Sequence, residues 1–321
     1  MIPIHVEAID LQLPEQVQTA EDLAPLIGKS ANWIRQRAGV QERRVAQVDM
    51  PTLAAQAASK VFSQSDPPDL ILNASGVGYQ VLPDSSIFIQ KALGLSGIPC
   101  FSIHATCLSF LTALQTAAGL LATDSYHRIL IVSADLGTRG RNPDQPESAA
   151  LLGDGAAAAL VTLPTKNQSS GILAHCMRSF PEGAEFTSVR GGGTRLHPQD
   201  PRTTPADNLF HMKGTAVFKM ALRKAPEVIN EVLTQAGLQK SDLKIVVPHQ
   251  ASGFGVEVYR RFGFTEKQVI DVVGQFGNCV AASIPMALAH AAKNEEITRG
   301  DLVMLVGTGA GLSIAATILR Y

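Results

Sequence analysis

"CFSIHATCLSFLTALQTAA" runs from Cys100 to Ala118, and its apolar period changes partway along. Cys100–His104 reads as a short strand, whereas from Leu108 onward the apolar residues recur at helical spacing with alanine in the small positions. Cys107 stands at the change. A second stretch, "VIDVVGQFGNCVAASIPMALAHAA" from Val269 to Ala292, has the same plan of strand, polar turn and alanine-rich helix. There the turn carries Asn278.

The likeness extends outward from both stretches. "DLILNASG" from Asp69 parallels "DLKIVVPHQAS" from Asp242, each a strand that follows Asp-Leu and ends in a turn of small residues. Cys107 lies 38 residues after Asp69 and Asn278 lies 36 after Asp242. Each helix is then followed by another strand, in "HRILIVSADLG" and "GDLVMLVGTGAG". Matches repeated in one order imply a duplicated α/β half. In a pseudo-twofold molecule equivalent turns approach the axis, so Cys107 and Asn278 are expected to meet.

The same patterning predicts strands at Ile4–Ile9, Leu70–Ala74, Cys100–His104, Ile129–Ala134, Ala156–Thr162, Ile172–Arg178, Ile245–Pro248, Val269–Val272, Leu302–Val306 and Ser313–Leu319. Helices are predicted over Pro51–Ser63, Asp84–Leu93, Leu108–Ala122, His211–Ala236, Gly253–Phe262 and Val280–Lys293. Pro181–Pro205, with "RGGGTRLHPQDPRTTP", reads as an irregular connection. The expected division is therefore 1–180, carrying the cysteine turn, and 181–321, carrying the linker and the second half.

Composition narrows the setting. A chain of 321 residues with 45% hydrophobic content can bury a large core. A net charge of −1 gives no electrostatic reason to invoke nucleic acid or a membrane surface. The cysteines, Cys100, Cys107, Cys176 and Cys279, are too dispersed for a metal-binding CxxC pair or a disulfide framework. "MIPIHVEAIDLQLP" lacks the basic region and long apolar run of a signal peptide. The expectation is a soluble, cytoplasmic protein without a metal.

Cys107 falls at the predicted first turn of its helix, where unpaired N–H groups and the dipole favour a thiolate. A lone cysteine is more often a small core residue. His249 directly follows the apolar strand Ile245–Pro248, and Asn278 precedes a helix behind Gly277, which permits a tight turn. Singly these are a structural histidine and an N-cap. Together they place three polar groups at the C-terminal ends of strands, the rim where α/β sheets gather ligands.

With these residues in view, the chain resembles the β-ketoacyl-acyl-carrier-protein synthase III type of enzyme in the thiolase superfamily, over nearly its whole length. "NWIRQRAGVQERR", "LLGDGAAAAL", "HMKGTAVFKMAL", "VPHQA", "FGNCVAASIP" and "GTGAG" resemble that family's motifs in the family's order. The resemblance implies a five-layer α-β-α-β-α fold with mixed sheets, with the helices Leu108–Ala122 and Val280–Lys293 as its buried layer. It implies Cys107, His249 and Asn278 as the catalytic positions of an acyltransferase that condenses an acyl–cysteine with a malonyl-type thioester. Coenzyme A or carrier-protein thioesters would be substrates, with no separate cofactor. Trp33 and Arg37 would meet the nucleotide end of coenzyme A, and the implied assembly is a homodimer.

A thiolate suits this chemistry because it attacks a thioester well and leaves well. Donors are needed for the enolate oxygen, from His249 and Asn278, and for the tetrahedral oxyanion, from the Cys107 N–H and one of Gly307, Gly309 and Gly311. Lys213, Lys219, Arg223, Arg260 and Arg261 are candidates for receiving an acidic carrier protein.

Three stretches depart from the family pattern. "HATCLSF" puts Leu108 where the family is small and adds His104, which reads as a buried structural residue or as an extra polar group beside an altered acyl pocket. "HQASGFGVE" lacks the arginine expected after the catalytic histidine, and "DQPESAALLGDG" lacks another, with Arg139 and Arg141 the nearest substitutes. Transfer to an oxygen or nitrogen acceptor, or a non-catalytic partner subunit, are the alternative readings.

Overall fold

A computed structural model describes all residues, 1–321. The strands are, in chain order, β1 (Ile2–Pro3), β2 (His5–Gln12), β3 (Gln16–Thr19), β4 (Glu42–Val45), β5 (Leu70–Asn73), β6 (Cys100–Ser102) and β7 (Arg128–Leu136). They continue with β8 (Asp154–Thr162), β9 (Gly171–Ser179), β10 (Thr187–Ser188), β11 (His211–Met212), β12 (Ile245–Pro248), β13 (Leu302–Gly309) and β14 (Ser313–Arg320). The helices are α1 (Ala20–Ile27), α2 (Ala31–Ala38), α3 (Met50–Ala58), α4 (Ser85–Ala92) and α5 (Ser109–Ala122). The chain then forms α6 (Pro146–Ala149), α7 (Gly214–Ala236), α8 (Gly253–Arg261), α9 (Val273–Phe276) and α10 (Ser283–Lys293).

Two five-stranded sheets carry the fold, ordered β2-β8-β7-β5-β6 and β1-β9-β14-β13-β12. Each is mixed: β5 runs parallel to β6 and β7, β12 runs parallel to β13, and the remaining neighbours are antiparallel. Period-2 alternation explains why both faces of each sheet are covered. In β7, Ile129 and Ile131 face α5 and α10, whereas Leu130, Val132 and Ala134 face the outer helix α3. In β13, Val303 and Leu305 face the central helices and Met304 and Val306 face the opposite way, with α7. The layers are α, β, α, β, α.

The central layer is α5 and α10. Leu111, Ala113, Leu114, Ala117 and Ala118 of α5 and Ile284, Met286, Ala287, Leu288 and Ala291 of α10 are buried in one cluster with residues of both sheets. Alanine at these positions lets the backbones come close while costing no side-chain entropy in the helix.

The duplication is visible strand for strand: β9-β14-β13-β12 repeats β2-β8-β7-β5 in order and direction. The repeat therefore begins again at β9, and the sheets divide in the 163–170 connection, earlier than the boundary expected at 180. Gly171–Ser179, assigned to the first half from its sequence, is part of the second sheet, and so is β1.

Val269–Val272 is not a strand. It makes one bridge, Val246 to Val269, and then the Gln250 side chain takes over, donating to the Ile270 carbonyl at 3.1 Å and accepting from the Val272 N–H at 2.9 Å. A side chain thus replaces the ladder that β6 makes in the first half. The helix predicted from His211 starts at Gly214, and the one predicted over Pro51–Ser63 ends at Ala58.

Replacing Leu111 with alanine is expected to cost about 2–5 kcal/mol, because its fully buried side chain has no room to be replaced by water. Leu26→Ala, at a 59% exposed position, is expected to cost less than about 0.5 kcal/mol. Paired denaturant titrations check both. Equal losses would contradict the layer assignment.

Candidate active site

Cys107 lies between β6 and α5, two residues before the first helical residue, Ser109. Its turn is tightly held. The Ser109 hydroxyl accepts from the Ala105 N–H at 3.0 Å and donates to the Thr106 carbonyl at 2.7 Å. This latch holds Thr106 at φ 53°, a left-handed conformation rare for a β-branched residue. Ser109, the serine of "HATCLSF", thus fixes the Cys107 turn.

His249 follows β12 directly, and its N–H donates to the Val306 carbonyl of β13 at 2.8 Å. Gly307 makes this approach possible, since a Cβ there would lie 2.7 Å from His249 Cβ and 3.4 Å from a Leu108 methyl. Gly309 does the same for the cysteine turn: a Cβ would fall 2.5 Å from Thr106 Oγ1. Gly311 lies past β13 in the turn to β14, at φ +139°. The two β13 glycines thus bring the Cys107 and His249 turns onto one strand end.

Asn278 is clamped by its backbone to the "LLGDG" segment, donating to the Leu151 carbonyl at 2.8 Å and accepting from the Gly153 N–H at 3.0 Å. Gly277 supplies the tight turn, at φ +68° with the Leu151 carbonyl 2.6 Å from where a Cβ would sit. The Asn278 amide then reaches the histidine turn, its Nδ2 donating to the Ala251 carbonyl at 3.3 Å while Oδ1 accepts from Val280 N–H at 2.9 Å. One Nδ2–H is left over.

Burial decides the electrostatics here. The Cys107 thiol is pushed up to about 12, first by desolvation and then by the charge of Asp135, with a backbone hydrogen bond opposing. The sequence expectation of a preformed thiolate is therefore corrected: α5 begins beyond the cysteine, and its dipole does not offset the loss of water. Burial also pulls His249 down to about 4, so the ring is neutral at physiological pH, with Nδ1 unpartnered. Thiol and imidazole are thus both uncharged in the free protein.

An apolar channel of about 130 Å³, walled by Leu151, Met212, Val217, Phe218, Val258 and Tyr259, ends at His249 and Thr308. A larger groove of about 580 Å³ lies elsewhere, among Lys244, Arg260, Glu266, Asp271 and His290, and none of the three candidate residues lines it. Of the three candidate residues, His249 lines the narrow channel.

Leu108 is fully buried, packed against Gly307 and Gly309. His104 is exposed, not buried as its sequence reading favoured, and its Nε2 donates to the Gly76 carbonyl at 3.1 Å. Half-buried Trp33 and exposed Arg37 sit on α2, which meets α8 where Gly39 and Gly253 touch. Lys29 lies over the Trp33 ring at 5.4 Å. Arg141 turns inward to the Thr138 carbonyl and Gln18, so it does not replace the missing arginine at the surface, whereas Arg139 is exposed. Arg260 is paired with Glu257 and Glu266, while Lys213, Lys219, Arg223 and Arg261 are exposed. Where the arginine after the histidine was expected, exposed Phe254 lies 4.9 Å from Phe218, with Arg261 over its ring at 5.4 Å.

Comparison with known proteins gives the family. Residues 101–180 match the family model 3-oxoacyl-[acyl-carrier-protein] synthase III, and residues 233–321 match the model of that family's C-terminal part. A β-ketoacyl-[acyl-carrier-protein] synthase III of Erythrobacter litoralis is 32% identical over 100% of both chains. One from Fusobacterium nucleatum is 30% identical over 100% of this chain and 99% of its own. The crystal structure of the Aquifex aeolicus 3-oxoacyl-[acyl-carrier-protein] synthase III superimposes with a TM-score of 0.88 at 29% identity, covering 99% of each chain. Xanthomonas campestris OleA shares the fold, with a TM-score of 0.84 at 19% identity over 99% of this chain and 98% of its own. The chain belongs to the 3-oxoacyl-[acyl-carrier-protein] synthase III family, with its thiolase-type five-layer fold.

Proposed function

We propose that this protein condenses an acyl group with a malonyl-type thioester, with acyl–Cys107 as the covalent intermediate. The observation that carries the reading is the convergence of three turns: those of Cys107 and His249 seat on the β13 glycines, the Asn278 amide donates to the histidine turn at Ala251, and His249 lines an apolar channel. The Cys107 sulfur attacks the donor thioester while neutral His249 accepts the thiol proton and passes it to the departing thiol. Malonyl then loses carbon dioxide, and its electron pair forms an enolate. His249 N–H and the remaining Asn278 Nδ2–H stabilise the enolate oxygen, and an Asp at 278 would repel it. The enolate carbon attacks the acyl–Cys107 carbonyl. The resulting oxyanion is held by the Cys107 N–H and one from the Gly307–Gly311 segment, and collapse releases the thiolate.

The reaction needs no cofactor besides its substrates. Coenzyme A or carrier-protein thioesters are the substrates in this reading, with Trp33 and Arg37 meeting a nucleotide end and Lys213, Lys219, Arg223 and Arg261 receiving an acidic carrier. Leu108, buried beneath the cysteine turn, limits the space for the acyl chain, and His104 acts from outside it. A second copy of the chain completes the assembly. β6 is an unpaired edge, Phe101 projects from it, and Val77, Val81, Leu82 and Ile87 are exposed nearby in sequence and on the adjoining α4. The setting that fits is the cytoplasm.

Labelled malonyl thioester is expected to release carbon dioxide in step with product, and Asn278→Asp is expected to lower that release by about 10²–10³-fold. Acyl–enzyme formation without carbon dioxide release would instead support transfer to an oxygen or nitrogen acceptor. Alkylation of Cys107 in the free enzyme is expected to accelerate about tenfold per pH unit from about 7 to 10, as a raised thiol requires. A plateau near neutral pH contradicts this. Phe101→Asp is expected to convert a dimer to a monomer by sedimentation equilibrium, and a variant that remains dimeric would move the interface elsewhere.

A further inference from the structure

We infer that Asp135 is a positioning residue: its one buried carboxylate ties the turn beside the nucleophile to the turn that carries Asn278, and so sets the geometry of the condensation. The inference rests on the catalytic reading above. Asp135 is the second-last residue of β7 and is 1% exposed. One oxygen accepts the N–H groups of Gly76 at 2.9 Å and Val77 at 3.0 Å, and the other accepts those of Ala281 at 3.1 Å and Ala282 at 3.2 Å. These donors come from opposite halves of the duplicated fold.

Each pair adjoins a catalytic turn. The Gly76 carbonyl accepts from His104 Nε2 at 3.1 Å, in the loop that leads to Cys107. Ala281 and Ala282 follow Val280, whose N–H is bonded to the Asn278 side chain. The two segments also touch, since a Cβ on Gly76 would lie 2.5 Å from a Val280 methyl. Both catalytic turns contain a β-branched residue in the left-handed region, Thr106 at φ 53° and Val280 at φ 50°, and such backbone persists only where its surroundings fix it.

No cationic side chain bonds to the carboxylate. The ionisable groups that sense its charge are the thiols of Cys107 and Cys279. A buried acid without a cation is costly, and the four backbone donors offset only part of that cost: burial still pushes the Asp135 carboxyl up to about 7. Asparagine has the same shape but one accepting oxygen, and its N–H groups would face two donors.

The test is Asp135→Asn in the full-length protein, with folding followed by its thermal transition. The KM for the acyl donor is expected to stay within about threefold, while kcat for condensation falls by about 10²-fold, the scale of a small misplacement of reacting groups. The pH curve of Cys107 alkylation is expected to move to lower pH, because a nearby negative charge is gone; a purely structural residue would not move it in that direction. A folded variant with wild-type kcat and an unmoved curve overturns the inference. If Asp135→Asn does not fold, Gly76→Ala separates the same turns without removing the charge. It is expected to lower kcat comparably with the alkylation curve unmoved, and wild-type kcat in that variant overturns the tie. Absence of condensation in the wild type would defeat the catalytic reading alone; the alkylation curve then decides the tie, a shift supporting it and no shift overturning it.

Discussion

Two sheets close on one pair of helices, and the other features of this molecule follow from that packing. Residues such as Ala113, Ala117, Ala287 and Ala291 let α5 and α10 pack closely between the sheets. Their starting turns then come to the same end of the molecule, one following β6 and the other following the Gln250-bonded segment that stands in for a strand. β13, through Gly307 and Gly309, supplies the surface on which the cysteine and histidine turns seat. A larger residue at either glycine would push a turn away, so close packing and site geometry are one constraint.

The same burial sets the chemistry. A helix start beside a cysteine favours its thiolate, yet here the loss of water and the Asp135 charge win, and the thiol is raised. Desolvation acts on His249 in the opposite sense and keeps the ring neutral. Both groups are therefore uncharged in the free protein. Asp135 has no cation beside it, and backbone N–H groups from both halves offset only part of its desolvation, which raises the carboxyl to about 7.

Much of this was legible in the sequence because duplication repeats a pattern. The turn and helix around Cys107 and around Asn278 match in order, and His249 sits where the strand-end rule puts it, whereas Asn278 follows the short helix α9. The exact ladder was less legible. Val269–Val272 has the composition of a strand, but after one bridge to Val246 the Gln250 side chain, 19 residues earlier than Val269, takes over its backbone bonding. The helices α1 and α2 were missed although their signals are present: Thr19 and Asp22 form a reciprocal cap, and Ser30 caps the second. His104 looked buried because it ends an apolar run, whereas the short β6 leaves it outside. Asp135 carried no signal, since its partners are backbone N–H groups 58 to 147 residues away and any residue type can provide those.

The central claim is that the thiol of Cys107 carries the acyl group between donor and acceptor. Intact-mass measurement with peptide mapping, after brief incubation with an acyl thioester and no malonyl donor, tests it most directly. The account predicts one acyl mass per chain, located on Cys107 and lost on adding malonyl thioester. An unmodified enzyme that still turns over, or an adduct that survives in Cys107→Ala, would contradict it.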